Sequence, residues 1–316
     1  MTLMKRVWLT FLLCVIVLVV SSAASRPTQN VTPAPAEPTT NTLSTPKAVV
    51  LGIVEGLTEY LPVSSTGHLL VAERLMGIGQ GRDKSATDTF TVVVQVGAII
   101  AVLGIYRKRF VLMLEGVVGK SVEGRRTLAS LVVAFIPAAV IGQLLGDTIK
   151  EHLLQPWPVV AAWFVGGVAI LVFVANQSRI RVRVTSIDAI TIQQAVLIGL
   201  AQTLALWPGT SRSLVTLIAA LLLGISLPIA VEFAFLLGFI TLSEATAKEL
   251  LSNGSELFHT FGVLNPVIGT IVAGIAAWAA VRWMIGYLQN HPLTIFGWYR
   301  IVIAGIGAAL ILGGAI

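Results

Sequence analysis

Residues Gly52–His68 read GIVEGLTEYLPVSSTGH, and this stretch decides how the rest of the chain must be arranged. It sets two glutamates, two adjacent serines, two threonines and a histidine inside a 316-residue sequence that is 56% hydrophobic and only 11% charged. Mean hydropathy over the chain is +0.89. An ionisable side chain at membrane depth costs roughly 2.5–3.5 kcal/mol on insertion scales, so such groups are rare there unless they line a site. A polar island in so apolar a chain therefore points to a functional centre held by a membrane protein.

Working outward, apolar windows near the ~20 residues needed to cross a bilayer predict full spans at Thr89–Tyr106, Thr127–Leu145, Val159–Ala175, Leu227–Thr246, Val263–Met284 and Thr294–Ile316. No segment alternates apolar and polar residues as a membrane barrel does. Two further apolar stretches are interrupted: Lys47–Gly77 by Pro62 and the serines, Ile190–Gly224 by Pro208-Gly209. Broken backbone at membrane depth is tolerated only under cover of protein or against a water-filled cavity, so each reads as a re-entrant helical hairpin with a polar elbow. The predicted fold class is an all-α polytopic membrane protein with two re-entrant hairpins and about six full transmembrane spans.

The interrupted stretches also resemble each other. LGIVEGLTEYLP (Leu51–Pro62) compares with IGLAQTLALWP (Ile198–Pro208), allowing one residue of slip near the proline. Gly52 matches Gly199, Glu55 matches Gln202 and Leu57 matches Leu204. Basic residues cluster in the loops carrying Arg107, Lys108, Arg109, Lys120, Arg125 and Arg126, and Arg179, Arg181 and Arg183, which assigns those loops to the cytoplasm. The loops at Arg82–Lys84, Asp147–His152 and Lys248–His259 mix both signs and are assigned to the outside. The two hairpins then enter from opposite faces, giving an inverted-topology repeat with halves at about 47–175 and 189–316 and a site where the elbows meet.

Ahead of this membrane domain (47–316), residues 1–25 have a basic start, an apolar run and a small-residue end at Ser21–Ala24. They read as a signal peptide cleaved after Ala24 or as an uncleaved N-terminal membrane anchor. Residues 26–46 form a Pro/Thr-rich linker. The formal charge of +6 is explained by the basic loops and gives no reason to invoke nucleic acid. The single cysteine, Cys14, excludes an intrachain disulfide and a cysteine metal site.

Glu55 and Glu59 stand four apart and project from one helix face. Two such carboxylates repel unless a cation joins them, one takes a proton, or neighbouring hydroxyls bind them. Oxygen ligands favour Mg²⁺ or Ca²⁺. Ser64, Ser65, Thr66 and Gly67 at the first elbow can cap the next half-helix or bind an anion. His68 is either an interhelical hydrogen-bonding group or a proton carrier or nucleophile. At the second elbow, Pro208–Ser213 (PGTSRS) offers Gly209, Ser211, Ser213 and Arg212, whose guanidinium suits phosphate. Its counter-charge is a bound anion or the Glu pair across the repeat, with Glu232 and Glu244 as alternatives. An acidic pair for a metal, an arginine, helix N-termini and a histidine are the components of phosphoryl transfer. Their placement in lipid implies a substrate with a phosphate head and a hydrophobic tail.

At these residues the chain resembles the bacterial undecaprenyl-diphosphate phosphatase family, also called the bacitracin-resistance protein family. EGLTEYLPVSSTGH (Glu55–His68) and PGTSRS (Pro208–Ser213) are similar to its two motifs, and the likeness extends through VVVQVGAIIA (Val92–Ala101), IPAAVIG (Ile136–Gly142), EFAFLL (Glu232–Leu237) and Tyr299-Arg300-Ile301. Leu214 and Ile240 depart from the family's usual glycine and proline. The resemblance implies hydrolysis of undecaprenyl diphosphate to undecaprenyl phosphate and inorganic phosphate, a divalent-cation requirement and bacitracin resistance, in a multi-pass protein of the bacterial plasma membrane with its site on the outer side. It implies Glu55 and Glu59 as the metal-associated pair, with Ser65, His68 and Arg212 as catalytic or phosphate-binding residues. A polyprenyl-phosphate flippase is the alternative that the inverted repeat suggests, and a homodimer is a further partner to consider.

Overall fold

Helices run almost without interruption through the computed structural model, which describes residues 43–79 and 84–316. Among the described residues there are twelve α-helices. The signal or anchor segment and nearly all of the linker lie outside them. The first hairpin is α1 (Thr45–Thr58) and α2 (Ser65–Leu75). A first span is built from α3 (Lys84–Val93) and α4 (Gln95–Ile105), followed by α5 (Arg107–Val117), α6 (Val122–Leu153) and α7 (Pro156–Asn176). The second hairpin is α8 (Ile192–Gln202) and α9 (Arg212–Leu222), and α10 (Leu227–Phe261), α11 (Leu264–Leu288) and α12 (Thr294–Leu312) complete the chain.

Among the described residues six helical stretches are long and apolar enough to cross a membrane, and they coincide with the six spans expected from hydropathy. The hairpin arms are not: 11 to 14 residues reach only about 16–21 Å at 1.5 Å per residue, against a hydrocarbon core of about 30 Å. Two expectations need correction. The segments Asp147–His152 and Lys248–His259, read as loops, continue the helices α6 and α10, because a helix pairs its own backbone groups as well outside lipid as within it. The basic stretch after the first span is likewise largely helical, as α5.

The repeat is carried by backbone detail. Gly52 on α1 lies so close to Gly269 on α11 that a Cβ would collide with the facing carbonyl, and its counterpart Gly199 on α8 meets Ala134 on α6 in the same way. Small residues let membrane helices approach closely and gain dispersion contact where no hydrophobic drive exists. Each hairpin's entering arm thus packs on the second full span of the opposite half, so the halves interdigitate. Ser64 and Ser211 are the only non-glycine residues with positive φ among those described, at φ 73°, ψ 102° and φ 76°, ψ 113°. Each immediately precedes its hairpin's second arm. Counted from these serines, Gly52/Gly199, Glu55/Gln202 and Ser64/Ser211 fall at one constant separation, so the one-residue slip is confined to the prolines.

Candidate functional site

Glu59 follows the end of α1, just before the first elbow, and forms an ion pair between the two halves. Its Oε1 accepts from Arg212 Nη2 at 2.8 Å, and its Oε2 accepts from Ser65 Oγ. Ser65 and Arg212 are the first residues of α2 and α9, the same position in each half of the repeat. Neither expected alternative pairs with Arg212: Glu232 is engaged by Arg109 at 2.5 Å, and Glu244 lines the wall of the cavity. Arg212 lies flat against α10, where Gly238 leaves room for it; a Cβ there would overlap the guanidinium. Its Cζ also sits 5.7 Å from the centroid of the buried Tyr60 ring, a distance at which a cation is attracted to the aromatic face.

A cavity of about 400 Å³ opens at this junction. Seven of the residues singled out from sequence line it: Glu59, Ser64, Ser65, Thr66, Gly209, Ser211 and Arg212. The other four do not. Glu55 is fully buried among Glu59, Ser65 and Arg212, and neither of its carboxylate oxygens has a hydrogen-bond partner. Ser213 donates to the carbonyl of Leu61 at 2.9 Å and lies 3.1 Å from Ser211 Oγ, tying one elbow to the other. Gly67 gives up its side chain to the Trp163 indole, which a Cβ would meet at 2.6 Å. His68 points away from the cavity: Nδ1 lies 2.6 Å from the Ser64 carbonyl and Nε2 lies 2.7 Å from the Tyr299 hydroxyl, with the ring between Trp163 and Tyr299.

The elbows are built on unusual backbone. Serine at positive φ costs of order 1–3 kcal/mol and persists only where surrounding structure enforces it, commonly at functional sites. Here the enforcing group is Arg300 on α12. Fully buried, it donates to the carbonyls of Pro62 and Gly209, one from each elbow, and of Ala162 and Trp163 on α7. The sequence signal for it was available, since Arg300 is the only charged residue in its span. Gln202, Gln95, Lys248 and Glu249 also line the cavity; of these, Gln202 was visible only as the repeat partner of Glu55.

The Glu55–Glu59 pair can be tested as a cation site on chemistry alone. Two adjacent carboxylates, one with both oxygens unpaired in the protein interior, need a cation or a proton. A divalent ion fits that need. Among the described residues no three acidic, histidine or cysteine side chains converge on one point, so oxygens of a bound phosphate or water would complete the shell, as is common for Mg²⁺.

Among the described residues, six apolar spans packed with two short-armed hairpins, whose elbows meet at a buried acid, serine and arginine, define a polytopic helical membrane protein of the inverted-repeat type. The sequence profile of the family described as bacitracin resistance protein BacA matches residues 48–306, and the chain belongs to that family. The chain is similar to an undecaprenyl-diphosphatase of Methylococcus capsulatus, 44% identical over 254 residues that cover 80% of this chain and 90% of that protein. It is similar also to undecaprenyl-diphosphatase 2 of Rhodospirillum rubrum, 42% identical over 255 residues covering 81% and 90%. A third relative, an undecaprenyl-diphosphatase of Sorangium cellulosum, is 40% identical over 261 residues, or 82% and 84% of the two chains.

Proposed function

We propose that this protein is an integral membrane phosphatase that hydrolyses undecaprenyl diphosphate to undecaprenyl phosphate and inorganic phosphate. Such an activity recycles the lipid carrier for cell-wall synthesis and gives bacitracin resistance. The relatives' names support the reaction, and one observation carries it to residues: in the cavity wall Ser65 hydroxyl donates to Glu59, which is held in turn by Arg212. A nucleophile hydrogen-bonded to a base that a third group orients is the arrangement of nucleophilic catalysis.

In the reading we favour, Ser65 Oγ attacks the terminal phosphorus and Glu59 takes its proton. The bond from that phosphorus to the bridging oxygen breaks, and undecaprenyl phosphate leaves with the electron pair and with the proton Glu59 had taken, which frees Glu59 to act as base again. Water then attacks the phosphoserine, its proton passing to Glu59, and inorganic phosphate departs as Ser65 regains a proton. Arg212 shares its donors between Glu59 and the phosphoryl oxygens, where a preorganised charge is worth most. Glu55 and Glu59 would hold a Mg²⁺ or Ca²⁺ ion, which when bound supplies positive charge against the diphosphate oxygens. Positioning is the role left to His68, because its two ring nitrogens are taken up by Ser64 and Tyr299.

Purified protein in detergent with Mg²⁺ or Ca²⁺ is expected to release phosphate from undecaprenyl diphosphate. Single-turnover quenching is expected to trap phosphate on Ser65; wild-type release by Ser65→Ala would end the serine-nucleophile reading. The basic loops support a plasma-membrane orientation with the cavity open to the outer side. A cysteine introduced as Arg181→Cys, with Cys14 replaced by alanine, should resist membrane-impermeant labelling of intact cells; ready labelling would reverse the orientation. Lipid translocation gains no observation of its own. A homodimer is left to a mass measurement in detergent.

A further inference from the structure

Gln202 is a buried cavity residue to which the reaction above gives no role. It ends α8, the entering arm of the second hairpin, and is 2% exposed, yet it lines the cavity beside the second elbow. Both Oε1 and Nε2 lack a hydrogen-bond partner. Buried polar atoms are almost always paired, and one left open in a site calls for something that completes it. A second donor at the same cavity is open too, since Arg212 uses Nη2 on Glu59 while its buried Nη1 bonds to nothing.

The repeat explains why an amide stands there. Glu55 and Gln202 are counterparts, both in the last turn of an entering arm, both buried and both unpaired. In the first half this position is a carboxylate, suited to a cation. In the second it is neutral and carries two N–H donors, followed across the elbow by the cation Arg212. The non-bridging oxygens of a diphosphate only accept hydrogen bonds, so the surface that meets them must donate. A carboxylate at 202 would instead face the anion with like charge.

We propose that Gln202 is a substrate-binding residue, its carboxamide N–H donating to a non-bridging oxygen of the lipid diphosphate alongside Arg212 Nη1. The Glu55/Gln202 difference thereby divides the pseudo-symmetric site into a cation side and an anion side. The identity of the anion rests on the diphosphatase reading; the donor role itself does not.

The test uses Gln202→Leu, with Gln202→Met as a second apolar variant and Gln202→Glu as the like-charge variant. A hydrogen bond to a charged oxygen predicts that Gln202→Leu raises KM and the inhibition constant of inorganic phosphate together, by roughly 10- to 100-fold. The unfolding temperature in detergent should stay level or rise, because an unpaired buried amide has been removed. Gln202→Glu should weaken phosphate inhibition further. Unchanged KM and inhibition constant in Gln202→Leu or Gln202→Met overturn the proposal, and so does a lowered unfolding temperature with wild-type KM, which marks a merely structural amide. Should the wild type release no phosphate from the lipid, the diphosphatase reading fails separately. The donor role is then read from the rise in unfolding temperature that pyrophosphate gives the wild type, expected to shrink in Gln202→Leu and overturning the proposal if it does not.

Discussion

Replacing Arg300 with lysine isolates what holds the two elbows in register. Arg300 makes two contacts of 2.8 Å, to Ala162 and Gly209, and two of 3.3 Å, to Trp163 and Pro62. It has no acidic partner among the described ion pairs, so its charge is balanced by carbonyl dipoles alone. A hydrogen bond from a charged donor contributes about 1.5–3 kcal/mol. Removing all four in Arg300→Met would cost about 6 kcal/mol or more on that scale, comparable with the whole stability of many domains, and little folded protein is expected. Lysine keeps the charge but has a single nitrogen on a flexible stem. It can serve α7 or one elbow but cannot span both, and loss of one or two bonds should cost about 2–5 kcal/mol. Pro62 and Gly209 lie three residues ahead of Ser65 and Arg212, so slack at the carbonyls passes directly to the reacting groups. A displacement of about 1 Å at such groups can cost on the order of 10²-fold in rate. Thermal unfolding and steady-state phosphate release from Arg300→Lys should show a lowered unfolding temperature and kcat reduced by about two orders of magnitude, with a smaller change in KM. Wild-type kcat in a folded Arg300→Lys protein would refute the reasoning, whatever happened to its stability.

Three other outcomes follow from the same geometry. Glu59→Gln removes the base beside Ser65, keeps only one acceptor oxygen for Ser65 and Arg212 to share, and leaves Arg212 without its counter-charge, a loss of about 3–5 kcal/mol for a buried pair; phosphate release should fall at least 10³-fold, and residual activity above about a tenth would contradict the assigned role. Gly238→Ala puts a methyl group where the Arg212 guanidinium lies, so kcat/KM should drop on the order of 10²-fold while Ala at the exposed Leu251 further along α10 leaves it unchanged; equal rates would mean the arginine is free to move. His68→Asn and Tyr299→Phe break the same contact, so their effects on kcat/KM should be non-additive by at least about 0.5 kcal/mol, and strict additivity would return His68 to independent chemistry.

Much of the fold was legible because hydropathy is a sum along the chain. Six spans needed only composition in a window of about 20 residues, and both hairpins were marked by proline and serine inside apolar sequence. The repeat was visible through Gly52 and Gly199, although its true register emerged from the paired serines with positive φ. What hydropathy could not say was where helix stops outside lipid, and α6 and α10 run on past their apolar spans. The gathering of Glu59, Ser65 and Arg212 was foreshadowed by the expense of charges in an apolar chain. The division of labour within it was not: Glu55 and Glu59 look alike in sequence, yet Glu59 holds two partners and Glu55 holds none.

Sequence by itself therefore determined that this chain crosses a membrane, that two of its helical segments are broken, and that acid, hydroxyl and arginine groups stand at the breaks. These are local matters, fixed by transfer energies and backbone chemistry over a few turns. Only the tertiary structure decided that His68 turns toward Tyr299 rather than the cavity, that Arg300 holds both elbows, and that Gln202 is left unpaired beside Arg212. Each depends on side chains far apart in sequence brought within hydrogen-bonding distance. That distance is set by how closely two interdigitated halves pack at their small residues, which no window along the chain contains.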